Sequence, residues 1–135
     1  MRRQLWHDQD PAEMAREAYE MPTWDPPCVE FLAEAPDGQL VGFIEVGIRS
    51  LAEGCPQGPT AYIEGVFVEQ HARRLAVANQ LLAVAEQWAI DRGFSHLGSD
   101  ARLHNDVSHS WHRAAGFAEI ERIVAFAKPL ARNSN

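Results

Sequence analysis

The stretch Ala61–Gly93 constrains the fold of this 135-residue chain more than any other. It begins as an apolar strand pattern over Ala61–Val68, passes through the basic pair Arg73 and Arg74, and continues with apolar residues at helical spacing. A strand that ends at a basic turn and feeds a helix brings backbone N–H groups and the positive end of the helix dipole together. The stretch therefore predicts a strand, an anion-binding loop and a helix over Val77–Arg92.

Other patterns predict the remaining elements. Pro36, Asp37 and Gly38 form a turn signal between two apolar runs, which indicates an antiparallel pair of strands. The further predicted elements are a helix over Pro11–Met21, strands over Cys28–Ala35, Gln39–Arg49, Phe94–Asp100 and Ala118–Phe126, and a helix from Asn105 or Asp106 through Ala115. We expect a single α/β domain over residues 1–130, with a mixed, mostly antiparallel central sheet and helices on both faces, and a frayed tail over 131–135.

The composition narrows the classes of partner. The chain is 46% hydrophobic and carries a formal net charge of −7, as expected for a folded protein with an acidic surface. Such a surface argues against nucleic-acid binding and favours a cationic small molecule. The sequence lacks a membrane-spanning run of about 18 apolar residues and the apolar segment of a signal peptide. With Cys28 and Cys55 expected as free thiols, we expect a cytoplasmic protein.

Two carboxylates stand where a sheet can bind a ligand. Glu64 lies in an apolar strand, where a carboxylate is costly unless it is hydrogen-bonded, paired or facing a cleft. Gly65 follows it and indicates a β-bulge or a close backbone approach. Asp100 ends the next strand, and the carboxyl ends of adjacent parallel strands bind ligands in open sheets. The alternatives are an exposed glutamate on an edge strand and a turn or helix-cap aspartate.

Other candidate groups carry weaker signals. Arg73 and Arg74 offer planar guanidinium groups to a phosphate, with a solvated loop as the alternative. His104, His109 and His112 raise the possibility of a metal site, and the last two are three residues apart on a predicted helix. No carboxylate or cysteine completes a ligand set, so no metal is expected. Cys55 lies in a Gly/Pro-rich loop without a matched base, which argues against a nucleophilic cysteine.

Two motifs, in this order of elements, resemble the GCN5-related N-acetyltransferase (GNAT) superfamily from about Leu5 to Lys128. The first is the stretch 73–78, Arg-Arg-Leu-Ala-Val-Ala, which is similar to the acetyl-CoA loop Arg/Gln-x-x-Gly-x-Gly/Ala of that superfamily. The second consists of Asn105, Ser108, His112, Gly116 and Phe117, which resemble its second signature. The segments 3–6, 54–55, 63–68, 99–100 and 121–122 resemble the bacterial aminoglycoside 6'-N-acetyltransferases in particular.

The resemblance implies an activity and a set of site residues. It implies direct transfer of an acetyl group from acetyl-CoA to the 6'-amine of an aminoglycoside within a ternary complex, without a metal. The implied catalytic residues are Glu64 and Asp100, and the implied substrate-binding residues are Trp6, Glu64, Asp100 and Glu121. The implied cofactor-binding residues are Val66, Phe67, Val68, Arg73, Arg74, Leu75, Ala76, Val77, Ala78, Asn79 and Asn105. Two alternatives stay open: another acceptor, such as a polyamine or a protein N-terminus, and a degenerate fold without catalysis.

The chain departs from the family pattern at several positions. Ala76 replaces the usual glycine of the phosphate loop, which is tolerable if its φ is negative, and Leu75 replaces a basic residue. Phe126 stands near the place of a tyrosine general acid and cannot donate a proton. The match also starts inside the family's first helix, so we expect the family's first strand to be missing. A sheet lacking that strand exposes an edge that can pair with another chain, so we expect a homodimer. Exchange of structural elements between the two subunits is one way in which such a dimer can form.

Overall fold

The computed structural model describes residues 27–73 and 76–131. The elements in these ranges are strand β1 (Val29–Glu34), strand β2 (Leu40–Arg49), strand β3 (Thr60–Val68), a short 3-10 turn (Gln70–Ala72), helix α1 (Val77–Asp91), strand β4 (Leu97–Gly98) and helix α2 (Asp106–Ala114). The strands form one sheet in the order β1-β2-β3-β4, in which only the β3–β4 pair is parallel. The predicted fold class, a mixed and mostly antiparallel α/β fold, is confirmed. The predicted helix over Pro11–Met21 lies outside the described residues.

The β1–β2 hairpin closes through the predicted turn. The Ala35 N–H donates to the Gln39 carbonyl at 2.7 Å, and the Gly38 N–H donates to the Ala35 carbonyl at 2.9 Å. Gly38 has a φ of +86°, a conformation that glycine adopts without a Cβ clash. The Asp37 carboxylate accepts from the Gln39 N–H at 3.0 Å, which completes the turn. These contacts set the antiparallel register in which Phe31 faces Ile44.

The core forms between the sheet and α1. Strand β2 is buried over residues 41–47. Both of its faces are therefore buried there, although the alternating sequence pattern is typical of a strand with one exposed face. Its residues Ile44 and Val46 belong to one apolar cluster with Leu81 and Ala85 of α1. Gly42 allows this packing, because an added Cβ would lie 2.9 Å from the Phe67 carbonyl oxygen. Helix α1 contacts β1, β2 and β3, which fixes its N-terminus at the end of β3.

Strand β3 carries a β-bulge beside the predicted catalytic glutamate. Glu45 of β2 pairs with Gly65, whereas the next residue, Val46, pairs with Ile63. Glu64 is therefore the extra residue, and the bulge that Gly65 indicated in the sequence is confirmed. A bulge increases the local twist of its strand, which turns the second half of β3 away from the course of the first half.

The two elements near the end of the chain differ from the prediction. Strand β4 covers only Leu97–Gly98, because its pairing with β3 ends there. The predicted strand over Ala118–Phe126 is wrong: the segment forms no strand pairing within the described ranges. Its apolar residues recur with a strand-like pattern, yet Ile123 is 72% exposed and Phe126 is 93% exposed. A strand needs a backbone partner as well as a pattern, and no described strand lies beside this segment.

Candidate active site

The predicted cofactor site begins where β3 and β4 separate. The two strands pair only at Ala61 with Leu97 and at Tyr62 with Gly98. Beyond that point, the edge of β3 that faces β4 has no strand partner in the part of the chain that the structure describes. This open edge carries Val66, Phe67 and Val68, the predicted partners of the pantetheine arm. Unpaired backbone groups of a strand edge can bind an extended ligand as an added strand would.

The basic loop after β3 connects that edge to α1. The Arg73 Nε–H donates to the Val68 carbonyl at 3.0 Å, and the Arg73 guanidinium carbon lies 6.0 Å from the centre of the Phe67 ring. One N–H of the guanidinium therefore anchors the loop to the strand, while the side chain is exposed at the entrance to α1. Its role as a phosphate contact stays a prediction. Arg74 and Leu75 lie outside the described residues.

Ala76, the N-cap of α1, has a left-handed backbone with a φ of +60° and a ψ of +20°. The condition under which alanine would be tolerated, a negative φ, is not met. It is the one non-glycine residue with positive φ in the described ranges. A Cβ in this conformation costs about 1–2 kcal/mol, because it crowds the following carbonyl. The backbone at Ala76 therefore has the conformation that glycine favours, and the Cβ methyl group of alanine makes this conformation strained.

Replacing Ala76 with glycine should raise the free energy of unfolding by about 0.5–1 kcal/mol, since relief of the strain outweighs the added freedom of the unfolded chain. Urea denaturation measures the change. Ala83→Gly is the matched control, because Ala83 is exposed within α1 and its replacement should lower stability by about 1 kcal/mol. Equal destabilisation by both substitutions would contradict the strain.

The remaining predicted cofactor residues link α1 to α2. The Asn79 Oδ1 accepts from the Trp111 indole N–H at 3.1 Å. The Asn105 side chain accepts from the Ser108 N–H at 3.1 Å, which identifies Asn105, rather than Asp106, as the N-cap of α2. Val77 is buried in the core, and Ala78 packs against it. The Val77 side chain is therefore closed off from a ligand, whereas that of Ala78 is half-buried.

The two predicted catalytic carboxylates are joined by Arg49, which the sequence reasoning missed. The Arg49 Nε and Nη2 donate to the two carboxylate oxygens of Glu64, each at 2.8 Å. The same Nη2 lies 3.9 Å from the Asp100 Oδ2, and the guanidinium carbon lies 3.6 Å from the centre of the Tyr62 ring. Tyr62 donates its hydroxyl to the Asp100 Oδ2 at 2.8 Å. One cation thus holds both carboxylates on the same side of the sheet.

Arg49 and Tyr62 keep their protons in this cluster. Burial raises the pKa of the Tyr62 phenol far above its usual range, and the hydrogen bond to Asp100 raises it further. The hydrogen bond to Glu64 raises the pKa of the Arg49 guanidinium, against the opposing effect of partial burial. The phenol therefore remains a hydrogen-bond donor, and the guanidinium remains a cation, at neutral pH.

A cleft of about 430 Å³ opens beside this cluster. It lies between the end of β2 and the residues that follow it, the start of β3, the end of β4, helix α2 and the segment 118–123. Arg49, Tyr62, Asp100 and Glu121 line it, so the predicted substrate residues Asp100 and Glu121 share one cavity. Glu64 does not line the cleft; it contacts the lining residue Arg49 through their ion pair. The predicted substrate residue Trp6 lies outside the described residues.

A serine–histidine pair also lines the cleft. The Ser99 Oγ lies 2.8 Å from the His112 Nε2, and the His112 Nδ1 lies 2.7 Å from the Ser108 carbonyl oxygen. Sequence reasoning considered His112 as a possible metal ligand and as part of a family motif, but it did not pair His112 with Ser99. The residues are adjacent because β4 ends at Gly98 beside the inner face of α2. Across the described ranges, no group of three or more His, Cys, Asp or Glu side chains could hold a metal ion.

The described chain contains no helix that is long and apolar enough to cross a membrane. Comparison with known proteins identifies the family. The model of the Acetyltransferase (GNAT) family matches residues 1–117. This chain belongs to the GNAT acetyltransferase family, whose members are acyltransferases.

Relatives of known activity resemble the chain over most of its length. It is 41% identical over 132 residues to an aminoglycoside N(6')-acetyltransferase type 1 of Klebsiella aerogenes, covering 96% of this chain and 87% of the relative. It is 37% identical over 131 residues to the enzyme of that name from Serratia marcescens, covering 96% and 89%.

Solved structures of such enzymes share the fold. AAC(6')-Iy in complex with the bisubstrate analogue CoA-S-monomethyl-acetylneamine superposes with a TM-score of 0.88 at 32% identity, covering 96% of this chain and 88% of that one. The aminoglycoside 6'-N-acetyltransferase AAC(6')-IG of Acinetobacter haemolyticus superposes with a TM-score of 0.81 at 31% identity, covering 91% and 84%.

Proposed function

We propose that this protein transfers the acetyl group of acetyl-CoA to the 6'-amine of an aminoglycoside in a ternary complex. One observation carries the proposal: the cleft with Asp100 and Glu121 opens beside the point where β3 and β4 separate. An acceptor amine in the cleft and a thioester along the open edge of β3 would therefore meet within one site. Two relatives, which are 41% and 37% identical to this chain, are named aminoglycoside N(6')-acetyltransferase type 1.

The open edge of β3 is the proposed binding site of acetyl-CoA. Its backbone groups at Val66–Val68 would pair with the pantetheine arm, and the loop through Arg73 would face the pyrophosphate at the N-terminus of α1. Arg74, Leu75, Ala76, Val77, Ala78, Asn79 and Asn105 complete the proposed set. A solved structure of AAC(6')-Iy in complex with CoA, at 32% identity, supports CoA as the ligand.

The acidic side of the cleft is the proposed acceptor site. Asp100 is exposed at the end of β4, where it can hold an ammonium group and accept its proton. Glu64 is already paired with Arg49, so we propose that it sets the charge and position of this cluster and reaches the substrate from there. Glu121 and Trp6 complete the proposed substrate site. Several carboxylates around one cleft suit a substrate that carries several ammonium groups.

The test is release of free CoA thiol from acetyl-CoA in the presence of an aminoglycoside. Neomycin and paromomycin form a matched pair, because they differ only in an amine or a hydroxyl at the 6' position. We expect thiol release with neomycin and kanamycin and none above background with paromomycin. A blank without acceptor corrects for the free thiols of Cys28 and Cys55. A folded protein that releases no thiol with any aminoglycoside would overturn the proposal.

We also propose that the active form is a homodimer in which the segment 118–131 contacts a second copy. The segment forms no helix or strand within the described ranges, and its large apolar side chains are exposed, with Phe126 93% exposed. Exposed apolar segments of this kind are typical of protein interfaces. Light scattering should give about twice the chain mass of 15.1 kDa. Phe126→Asp should shift the protein to monomer, whereas the control Val107→Asp, at an exposed position of α2, should not.

Compartment and domain organisation follow from smaller observations. We propose the cytoplasm as the compartment, because Cys28 and Cys55 are both free thiols and reducing compartments keep thiols in this state.

We propose a single domain over residues 1–130, because one apolar cluster joins the sheet to α1, and Trp111 and Phe117 from the α2 region pack against it.

A further inference from the structure

The pair Ser99 and His112 has the arrangement of a proton relay. Ser99 follows Gly98, the last residue of β4 that pairs with β3, so it lies where the two strands begin to separate. Its Oγ lies 2.8 Å from the His112 Nε2. On the far side of the ring, the Nδ1 lies 2.7 Å from the Ser108 carbonyl oxygen and 3.2 Å from the Ser108 Oγ.

The Ser108 carbonyl determines which ring nitrogen carries the proton. A carbonyl oxygen can only accept, so the His112 Nδ1 must be the N–H donor in that contact. The neutral ring then has its lone pair on Nε2, and the Ser99 hydroxyl donates to it. Ser99 keeps its own lone pairs for a further donor on the cleft side. A hydroxyl within reach of a base, with the base oriented by a third group, is the arrangement that activates a hydroxyl in enzymes.

The proposed reaction needs a second proton acceptor. An ammonium nitrogen that becomes an amide loses two protons, and Asp100 accounts for the first. Asp100 also accepts the Tyr62 hydroxyl at 2.8 Å, and both carboxylate oxygens of Glu64 accept from Arg49. Resting on the proposed acetyl transfer, we propose that Ser99 and His112 take the second proton from the acceptor nitrogen. Ser99 is the catalytic residue that contacts the amine, and His112 acts through it.

The step conserves atoms and electrons. The neutral amine attacks the thioester carbonyl, a C–N bond forms, and the C–S bond breaks with its electron pair leaving on sulfur. The N–H proton passes to the Ser99 oxygen while the Ser99 proton passes to the His112 Nε2. The resulting imidazolium keeps its Nδ1–H on the Ser108 carbonyl. It then returns a proton through Ser99 to the thiolate, so that free CoA leaves as the thiol and the dyad is regenerated.

His112 also packs between neighbouring rings, so a test has to separate chemistry from structure. Its ring lies edge-on to Trp111 at 4.8 Å and to Phe117 at 5.1 Å between ring centres. Truncating it can therefore disturb α2 without any effect on proton transfer. Ser99→Ala avoids this difficulty, because it removes one oxygen and leaves the His112 ring and its contact with Ser108 in place.

The experiment measures kcat and KM for the acceptor in the full-length wild type, Ser99→Ala and His112→Ala, with the exposed His104→Ala as control. We expect kcat to fall about 10-fold or more in Ser99→Ala and about 100-fold in His112→Ala, with the acceptor KM nearly unchanged. Imidazole in solution should restore a large part of the kcat of His112→Ala. Pyrrole, a ring of similar size without a basic nitrogen, should not.

The outcomes separate the relay from the overall activity. An active wild type whose Ser99→Ala variant keeps its kcat overturns the relay alone. Restoration of His112→Ala by pyrrole as well as by imidazole also overturns it, because a filled cavity would then explain the recovery. A folded wild type that acetylates no aminoglycoside overturns the proposed function, and the relay with it. If His112→Ala does not fold, the kcat of Ser99→Ala decides.

Discussion

Replacing Asp100 with asparagine should lower kcat/KM for the aminoglycoside by about 100- to 1,000-fold, the range expected for loss of a general base. Asparagine has nearly the same shape, and its side-chain oxygen can still accept the Tyr62 hydroxyl, which now lies 2.8 Å from the carboxylate. The fold and the Arg49–Glu64 ion pair should therefore persist. The cleft would lose one negative charge and its proton acceptor together. Steady-state kinetics with saturating acetyl-CoA give the effect.

Two further variants show whether the effect belongs to the site. Asp106→Asn removes a carboxylate of α2 whose side chain is 96% exposed, and it should leave kcat/KM unchanged. Tyr62→Phe keeps the ring beneath Arg49 but removes the donor to Asp100, so we expect a smaller loss of about 10-fold. If Asp100→Asn stays within about threefold of the wild type while the acetyl transfer is intact, Asp100 is not the proton acceptor.

Replacing Phe43 with alanine should lower the free energy of unfolding by about 3–5 kcal/mol. The Phe43 side chain is completely buried in the centre of β2, and its ring stacks on Phe67 at 6.1 Å between ring centres. The substitution removes the buried ring and leaves a cavity that the surrounding strands cannot close. Because a domain of this size is stable by only about 5–15 kcal/mol, the loss should be large enough to unfold much of the protein at moderate temperature.

Urea denaturation followed by fluorescence measures this loss. Val107→Ala is the matched control, since Val107 is 82% exposed on α2 and its replacement should change stability by less than about 0.5 kcal/mol. A loss of less than about 1 kcal/mol for Phe43→Ala would place its ring outside the core.

Local signals in the sequence were sufficient for most of the fold. The turn Pro36-Asp37-Gly38 predicted the hairpin, and the apolar spacing after Ala76 predicted α1 within one residue of its observed end. Gly65 predicted the bulge at Glu64, because glycine within a strand relaxes the pairing register. Asn105 predicted the start of α2, since its side chain caps the first turn. Each of these features depends on residues that are close neighbours in the chain.

The last strand shows the limit of such signals. The segment 118–126 has the residue pattern of a strand, but pairing depends on what lies beside it. In the described ranges nothing pairs with it, and its apolar side chains remain exposed. A backbone conformation can also escape local reasoning: the composition of the loop did not reveal that Ala76 is left-handed.

The sequence singled out Glu64 and Asp100 as candidates for the chemistry, because a carboxylate within an apolar strand and a carboxylate after an apolar run are recognisable from their neighbours in the chain. Only the tertiary structure decided how these two carboxylates are arranged. Arg49 lies 15 residues before Glu64 and is farther still from Asp100, yet its guanidinium contacts the first at 2.8 Å and lies 3.9 Å from the second. Ser99 meets His112 only because β4 ends beside α2. Contacts between residues that are far apart in the chain depend on how the strands and helices pack, and this packing cannot be predicted from a local sequence pattern.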